Sequence, residues 1–168
     1  MKSLKFLFVA ILAAFVFVSC DNKEPEPDGK DFHKGPIVLN WGNAASVNGK
    51  VFEIGMDNWE EDFQLVAHLD LKNATSESKA FTLKEIRKYD LSLASSALCT
   101  NGQCNFGNGK EEQLWEIGTI EAADHLDISL DLIPSDVEKA NVFATEFILS
   151  DGTNEVKFTI NYNYTPAQ

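Results

Sequence analysis

From about residue 36 onward the chain alternates apolar and polar residues, and this period of two restricts it to strands with one buried face. Phe63, Leu65, Ala67, Leu69 and Leu71 fall on one face, while Gln64, His68, Asp70 and Lys72 fall on the other. Leu126, Ile128, Leu130 and Leu132 repeat the pattern against Asp127, Ser129 and Asp131. Val156, Phe158, Ile160 and Tyr162 do so again against Glu155, Lys157, Thr159 and Asn161. Before that last run, Phe143, Phe147 and Leu149 lead into Ser150-Asp151-Gly152-Thr153, whose Asp-Gly pair is a strong hairpin signal. Further strands are expected at 36–40, 50–55, 79–89 and 111–120. With about seven or eight strands, each wet on one face, the expectation is an all-β, antiparallel sandwich. Thr82 to Asp90 is ambiguous: Leu83 and Ile86 have helical spacing, and Glu85 could cap against Thr82. The alternation around it makes it a strand.

The N-terminus speaks to location. Two lysines within Met1 to Lys5 precede the unbroken apolar run Phe6 to Val18, which has the order of a secretory signal. That run is shorter than the roughly 20 residues a membrane span needs. It ends in Phe17-Val18-Ser19-Cys20, and here the chain resembles bacterial lipoproteins, whose lipobox sets an aliphatic and a small residue before an invariant cysteine. The resemblance implies cleavage of residues 1–19 and lipidation of Cys20, with diacylglycerol on its sulfur and an acyl chain on its amino group. Several acyl chains anchor stably, at about 0.8 kcal/mol per buried CH₂. Residues 20–35 then read as a lipidated cysteine and a tether, because Asp21 to Asp31 carries prolines, a glycine and many charges but no apolar residue. Acidic residues behind the lipidated cysteine are similar to those of Bacteroidota lipoproteins of the outer membrane, and they favour display at the cell surface.

Composition narrows the partners. Loss of Lys2 and Lys5 with the signal leaves 12 basic against 26 acidic residues, a formal charge of −14. A chain of that sign repels phosphate backbones, which excludes nucleic acid as a partner. Residues 36–168, about 135 in number, suit one domain with its own core.

Cys99 and Cys104 flank Thr100-Asn101-Gly102-Gln103. In an oxidising compartment two cysteines this close make a disulfide, and Asn-Gly fits a tight hairpin that brings their Cβ atoms together. The closed loop is short, so the bridge is worth about 2 kcal/mol and shapes a loop more than it holds up a domain. A zinc finger would need two further ligands at regular spacing, and a redox pair would have two intervening residues beside a βαβ unit.

His33, His68 and His125 are scattered and read as solvated, so neither metal nor cofactor is expected. No catalytic signature is present, and the chain is expected not to be an enzyme. Asp57, Glu60, Glu61 and Asp62 surround Trp59 as a solvated acidic turn, without the spacing of a calcium loop. Trp115 lies in an alternating strand and belongs to the core, whereas Trp41 and Trp59, flanked by turn residues, are candidates for ligand contact. Asn73-Ala74-Thr75 and Asn163-Tyr164-Thr165 match eukaryotic glycosylation acceptors, which carry no meaning in such a compartment.

Over residues 36 to 165 the chain is similar to small Bacteroidota lipoproteins with one immunoglobulin-like or fibronectin-like domain. The residues that carry this are Leu69-Asp70-Leu71-Lys72-Asn73, the pair Cys99 and Cys104, and the closing hairpin from Phe147 through Asp151-Gly152 to Asn154. The resemblance implies the sandwich and no assigned activity. The cysteines depart from antibody domains, where they sit in facing strands and bracket a core tryptophan. The expectation is a non-catalytic, lipid-anchored envelope protein that binds or adheres to a ligand. Its alternatives are a glycan-binding accessory lipoprotein and a structural subunit of a surface assembly, with a glycan or an envelope protein as partner.

Overall fold

In a computed structural model the chain is described over residues 37–43, 47–60 and 64–166. It divides into two units, Met1–Lys30 and Asp31–Gln168, and the described residues belong to the second. The signal segment, Cys20, the tether and His33 lie outside the described residues.

Among the described residues the period of two is strict in the first strand and the last two and is broken by runs of buried residues in several others, while Phe63 lies outside the described residues. Eleven strands form among the described residues: β1 (Ile37–Trp41), β2 (Lys50–Ile54), β3 (Trp59–Glu60), β4 (Gln64–Asn73), β5 (Lys79–Arg87), β6 (Ala94–Thr100), β7 (Gln103–Phe106), β8 (Glu112–Ile120), β9 (His125–Pro134), β10 (Asn141–Ser150) and β11 (Glu155–Tyr164). One sheet has the order β1-β4-β9-β6-β7 with β3 added on β4, and the other β2-β11-β10-β5-β8. Three strands come on top of the expected eight: β3 and β7, at two and four residues too short to alternate visibly, and β6, whose buried run Ser96-Ala97-Leu98 breaks the alternation. The inward residues of the two sheets meet in one apolar core, with Leu65, Leu69, Ile128 and Leu132 from the first and Phe81, Phe143, Phe158 and Ile160 from the second. Phe147 stacks on Phe158 at 5.4 Å between centroids, and Trp41 meets Phe81 edge-on at 5.1 Å.

The arrangement is an immunoglobulin-like sandwich. In that fold strands B and E pair in one sheet while C, F and G pair in the other. Here β4 and β9 form the first set and β5, β10 and β11 the second. Two departures matter. Between β5 and β9 the chain adds the hairpin β6–β7 beside β9 and then β8 beside β5. The edge strands β1 and β2 pair parallel to β4 and β11, whereas all other pairs are antiparallel. Alternation fixes which face a residue takes and is silent on a neighbour's direction, so the parallel edges were not foreseeable from it.

The ambiguous stretch is strand: β5 covers Lys79–Arg87, and Glu85 points into the core instead of capping a helix. Its carboxylate takes Arg87 Nε at 3.0 Å and Nη2 at 3.1 Å in a bidentate pair. Ser96 Oγ accepts from Arg87 Nη2 at 2.8 Å and donates to Glu85 Oε2 at 3.0 Å, and Trp115 Nε1 donates to the same oxygen at 3.1 Å. Arg87 Nη1 reaches out to the Lys110 carbonyl at 2.8 Å, which ties the β7–β8 connection to the core. Gly107 is required there, since a Cβ would overlap the guanidinium and approach Ser96 Oγ to 2.9 Å. Burial, with the Glu85 charge adding to it against Arg87, pushes the neighbouring Tyr89 hydroxyl up to about 12.

At the other end of the sandwich, Asp151 stitches the β10–β11 turn to the first sheet. Burial alone would raise its pKa, but the backbone N–H groups of Asn154 and Thr153, together with Trp41 Nε1 at 3.1 Å, hold it down to about 2. A carboxyl whose folded pKa lies below its ordinary 3.8 stabilises the fold above that value and loses this contribution as pH falls towards 2. The contribution at neutral pH is on the order of 2 kcal/mol, and about half of it is gone at pH 3. Urea unfolding at pH 7 and pH 3 is therefore expected to show a smaller acid-induced loss in Asp151→Asn than in the wild type.

Candidate functional site

The outward residues of β4, β9, β6 and β7 line up in rows across the first sheet. One row runs Cys104, Cys99, Ser129, His68. A second runs Phe106, Ala97, Asp131, Val66, and a third pairs Asp127 with Asp70. The β6–β7 hairpin closes through Asn101 (φ 50°) and Gly102 (φ 74°), both left-handed, as a type I′ turn demands. A two-residue turn makes Thr100 and Gln103 the hydrogen-bonded pair, so Cys99 and Cys104 fall at the next, closer position. Their Cα atoms are 3.9 Å apart and their sulfurs are bonded.

The stapled hairpin stands as one wall of an open cleft of ≈ 660 Å³, floored by the outward residues of β4 and β9. Gln64, His68, Asn101, Asp127 and Ser129 line it, beside the disulfide itself. At its floor Asp131 is buried, 3% exposed, and accepts a hydrogen bond from Ser129 Oγ. Asp131 Oδ2 also lies 3.2 Å from Cys99 Sγ, a contact and not a hydrogen bond, because an oxidised sulfur carries no proton. At the mouth, His125 Nδ1 sits 3.1 Å from Asp70 Oδ1, and Lys72 Nζ sits 3.4 Å from Asp70 Oδ2. The lining offers hydroxyl, amide, imidazole and carboxylate groups, which suit a hydroxylated or cationic ligand. No Lys or Arg lines the cleft among the described residues.

The residues singled out from sequence separate into two groups. Cys99 and Cys104 form the expected disulfide and shape the cleft. His68 and His125, far apart in sequence, come to the same cleft, so their scatter was misleading. Trp41 is a correction: it is 4% exposed, packed on Phe81 and bonded to Asp151, and cannot offer a ring face to a ligand. Trp59 is partly buried and lies 5.1 Å from Tyr164 at a tilt of 38°. Trp115 is in the core as expected. Asp57 lies in the 3-10 turn Met56–Asn58, and Glu61 and Asp62 lie outside the described residues. The floor residues Gln64, Asp127, Ser129 and Asp131 were visible only as outward positions, since their convergence depends on β9 lying between β4 and β6.

No protein-family model matches the sequence, and no curated protein matches it either. Among solved structures, the chain is similar to a family 123 glycoside hydrolase from Clostridium perfringens, with a TM-score of 0.39 and 8% identity over 78% of this chain and 23% of that one. It is also similar to CfaE, the adhesive subunit of the CFA/I fimbria of enterotoxigenic Escherichia coli, with a TM-score of 0.35 and 8% identity over 70% of this chain and 47% of that one. The chain thus spans less than half the length of either. At these scores neither likeness carries an activity or a ligand to this chain.

Proposed function

We propose that the protein is a non-catalytic binding module of the cell envelope, tethered by lipid at Cys20 and presenting the stapled cleft to a ligand. The observation that supports this most is the cleft of ≈ 660 Å³ itself, built on a sheet face and walled by a cross-linked hairpin. Pockets of roughly 300–1,000 Å³ with a few converging polar groups are the usual form of small-ligand sites. The N-terminal features support export, an acylated anchor and a solvated tether, in an outer-membrane lipoprotein of the Bacteroidota type displayed at the surface. Palmitate incorporation is expected in the wild type and lost in Cys20→Ala; label that survives the substitution removes the anchor.

A second reading is favoured by Trp59, which is partly buried against Tyr164. An indole so placed could stack on a sugar, which would make the protein a glycan-binding accessory through a different surface. A glycan array probed with wild type, Ser129→Trp and Trp59→Ala separates the two. Ser129→Trp fills the cleft floor and is expected to abolish binding, while Trp59→Ala is expected to leave it intact. The reverse pattern supports the stacking surface, and binding unaffected by either variant removes both sites. A purely structural subunit would bind no glycan in any of the three.

A further inference from the structure

We propose that Asp70, His125 and Asp127 form a site for a divalent cation of the zinc class at the mouth of the cleft. The three side chains converge because of strand register. Asp70 and Asp127 are directly opposed across β4 and β9, and His125 lies two residues before Asp127, on the same face of β9. One donor atom from each lies within 4.8 Å of the others. Asp70 Oδ1 and His125 Nδ1 are 3.1 Å apart. Donors held at roughly 2.0–2.1 Å around a tetrahedral zinc are about 3.3 Å from one another, so Asp70 and His125 already have the required separation and Asp127, whose donor lies within 4.8 Å of theirs, closes on the ion by a side-chain adjustment. One imidazole nitrogen with two carboxylates is a donor set that zinc accepts and magnesium does not seek.

The surroundings point the same way. Like charges directly opposite each other in a sheet are unfavourable, and a dication placed between Asp70 and Asp127 would turn that repulsion into coordination. Lys72 sits on Asp70 Oδ2, which leaves Oδ1 to the site. The histidine is held in place from behind, since its backbone N–H donates to Asp124 Oδ1 at 2.8 Å and the Asp124 carbonyl accepts from the Asn73 N–H at 2.9 Å. His125 and Asp127 also line the cleft, so an ion held between them would border the cleft volume. Zinc sites with three protein donors keep such a position for water or a ligand oxygen. The inference goes beyond the reading of the cleft as an organic-ligand site, because the ion can bind whether or not a further ligand does.

The same geometry is also that of a plain His125–Asp70 hydrogen bond, and calorimetric titration of the purified protein with zinc chloride alone distinguishes the two. One zinc per chain is expected, with affinity lowered about tenfold or more in His125→Ala and in Asp127→Asn. His68→Ala, within the same cleft, is expected to keep the wild-type affinity. Both His125 and Asp127 are exposed, so these variants retain the fold, which circular dichroism checks. Absence of binding heat, or an affinity that falls in His68→Ala and not in His125→Ala, overturns the proposal.

Discussion

Arg87→Ala is expected to lower the free energy of unfolding by about 3–5 kcal/mol, the usual loss when one partner of a buried ion pair is removed. Glu85 would be left as a buried carboxylate 2% exposed, facing Ser96 and Trp115 donors but no compensating charge. At roughly 3–4 °C per kcal/mol for a domain of this size, the melting temperature should fall by about 10 °C or more. The double variant Glu85→Leu with Arg87→Met is the control. It removes both charges and fills the same space, and such replacements are often close to neutral. The pair therefore does not supply net stability so much as fix an arrangement: it binds β5 to Ser96 on β6 and to the Lys110 carbonyl beyond β7. Because β6 and β7 form the cleft wall, loosening this network also loosens the site. A single variant as stable as wild type in urea would contradict the role assigned to the pair.

Asn73→Ala is expected to cost about 3 kcal/mol, from several buried or part-buried hydrogen bonds each worth about 1 kcal/mol and from carbonyls left unpaired. The side chain is fully buried; its Nδ2 donates to the carbonyls of Glu77 at 2.8 Å, Ile120 at 2.9 Å and Glu121 at 3.1 Å. Its Oδ1 accepts from Thr75 Oγ1 at 2.7 Å and from the Thr75 N–H at 3.2 Å. Asn73 thus holds the β4–β5 connection against the turn before β9, the turn that sets out His125 and Asp127. Asn73→Asp is the sharper comparison, since it keeps the shape and the acceptor while replacing the donors with a carboxylate that repels three carbonyls. Denaturant midpoints of both variants should fall well below wild type. The same geometry explains why the Asn-Ala-Thr match has no bearing on glycosylation: the amide is already spent on the fold.

Face assignment and the two tight hairpins were legible in the sequence, and the neighbours joined across long connections were not. Leu65, Leu69 and Leu71, or Val156, Phe158 and Ile160, declare their common face by spacing alone, and they are all buried. Asn101-Gly102 declares a type I′ turn for the same local reason, because only a few residues accept positive φ. Residues that depend on distant partners behaved differently. Trp41 stands before Gly42 and Asn43 and so resembles a loop residue, but its fate is decided by Asp151, more than a hundred residues later. Glu85 and Arg87 are polar residues on an inward face, tolerated only because each satisfies the other, and no alternation rule announces that. The cleft is of this second kind: His68, Ser129 and Cys99 share a row only once β9 has inserted between β4 and β6.

Chemical-shift mapping tests most directly whether that row is a ligand site. Backbone amide spectra of the ¹⁵N-labelled protein would be recorded against a panel of mono- and disaccharides and short peptides at millimolar concentration. A ligand reading predicts that the responsive compounds shift amides at Gln64, His68, Asn101, Gly102 and Asp127 to Ser129, with the second sheet silent. Shifts confined to Trp59 and Tyr164 or to the second sheet, or none with any compound, would contradict it.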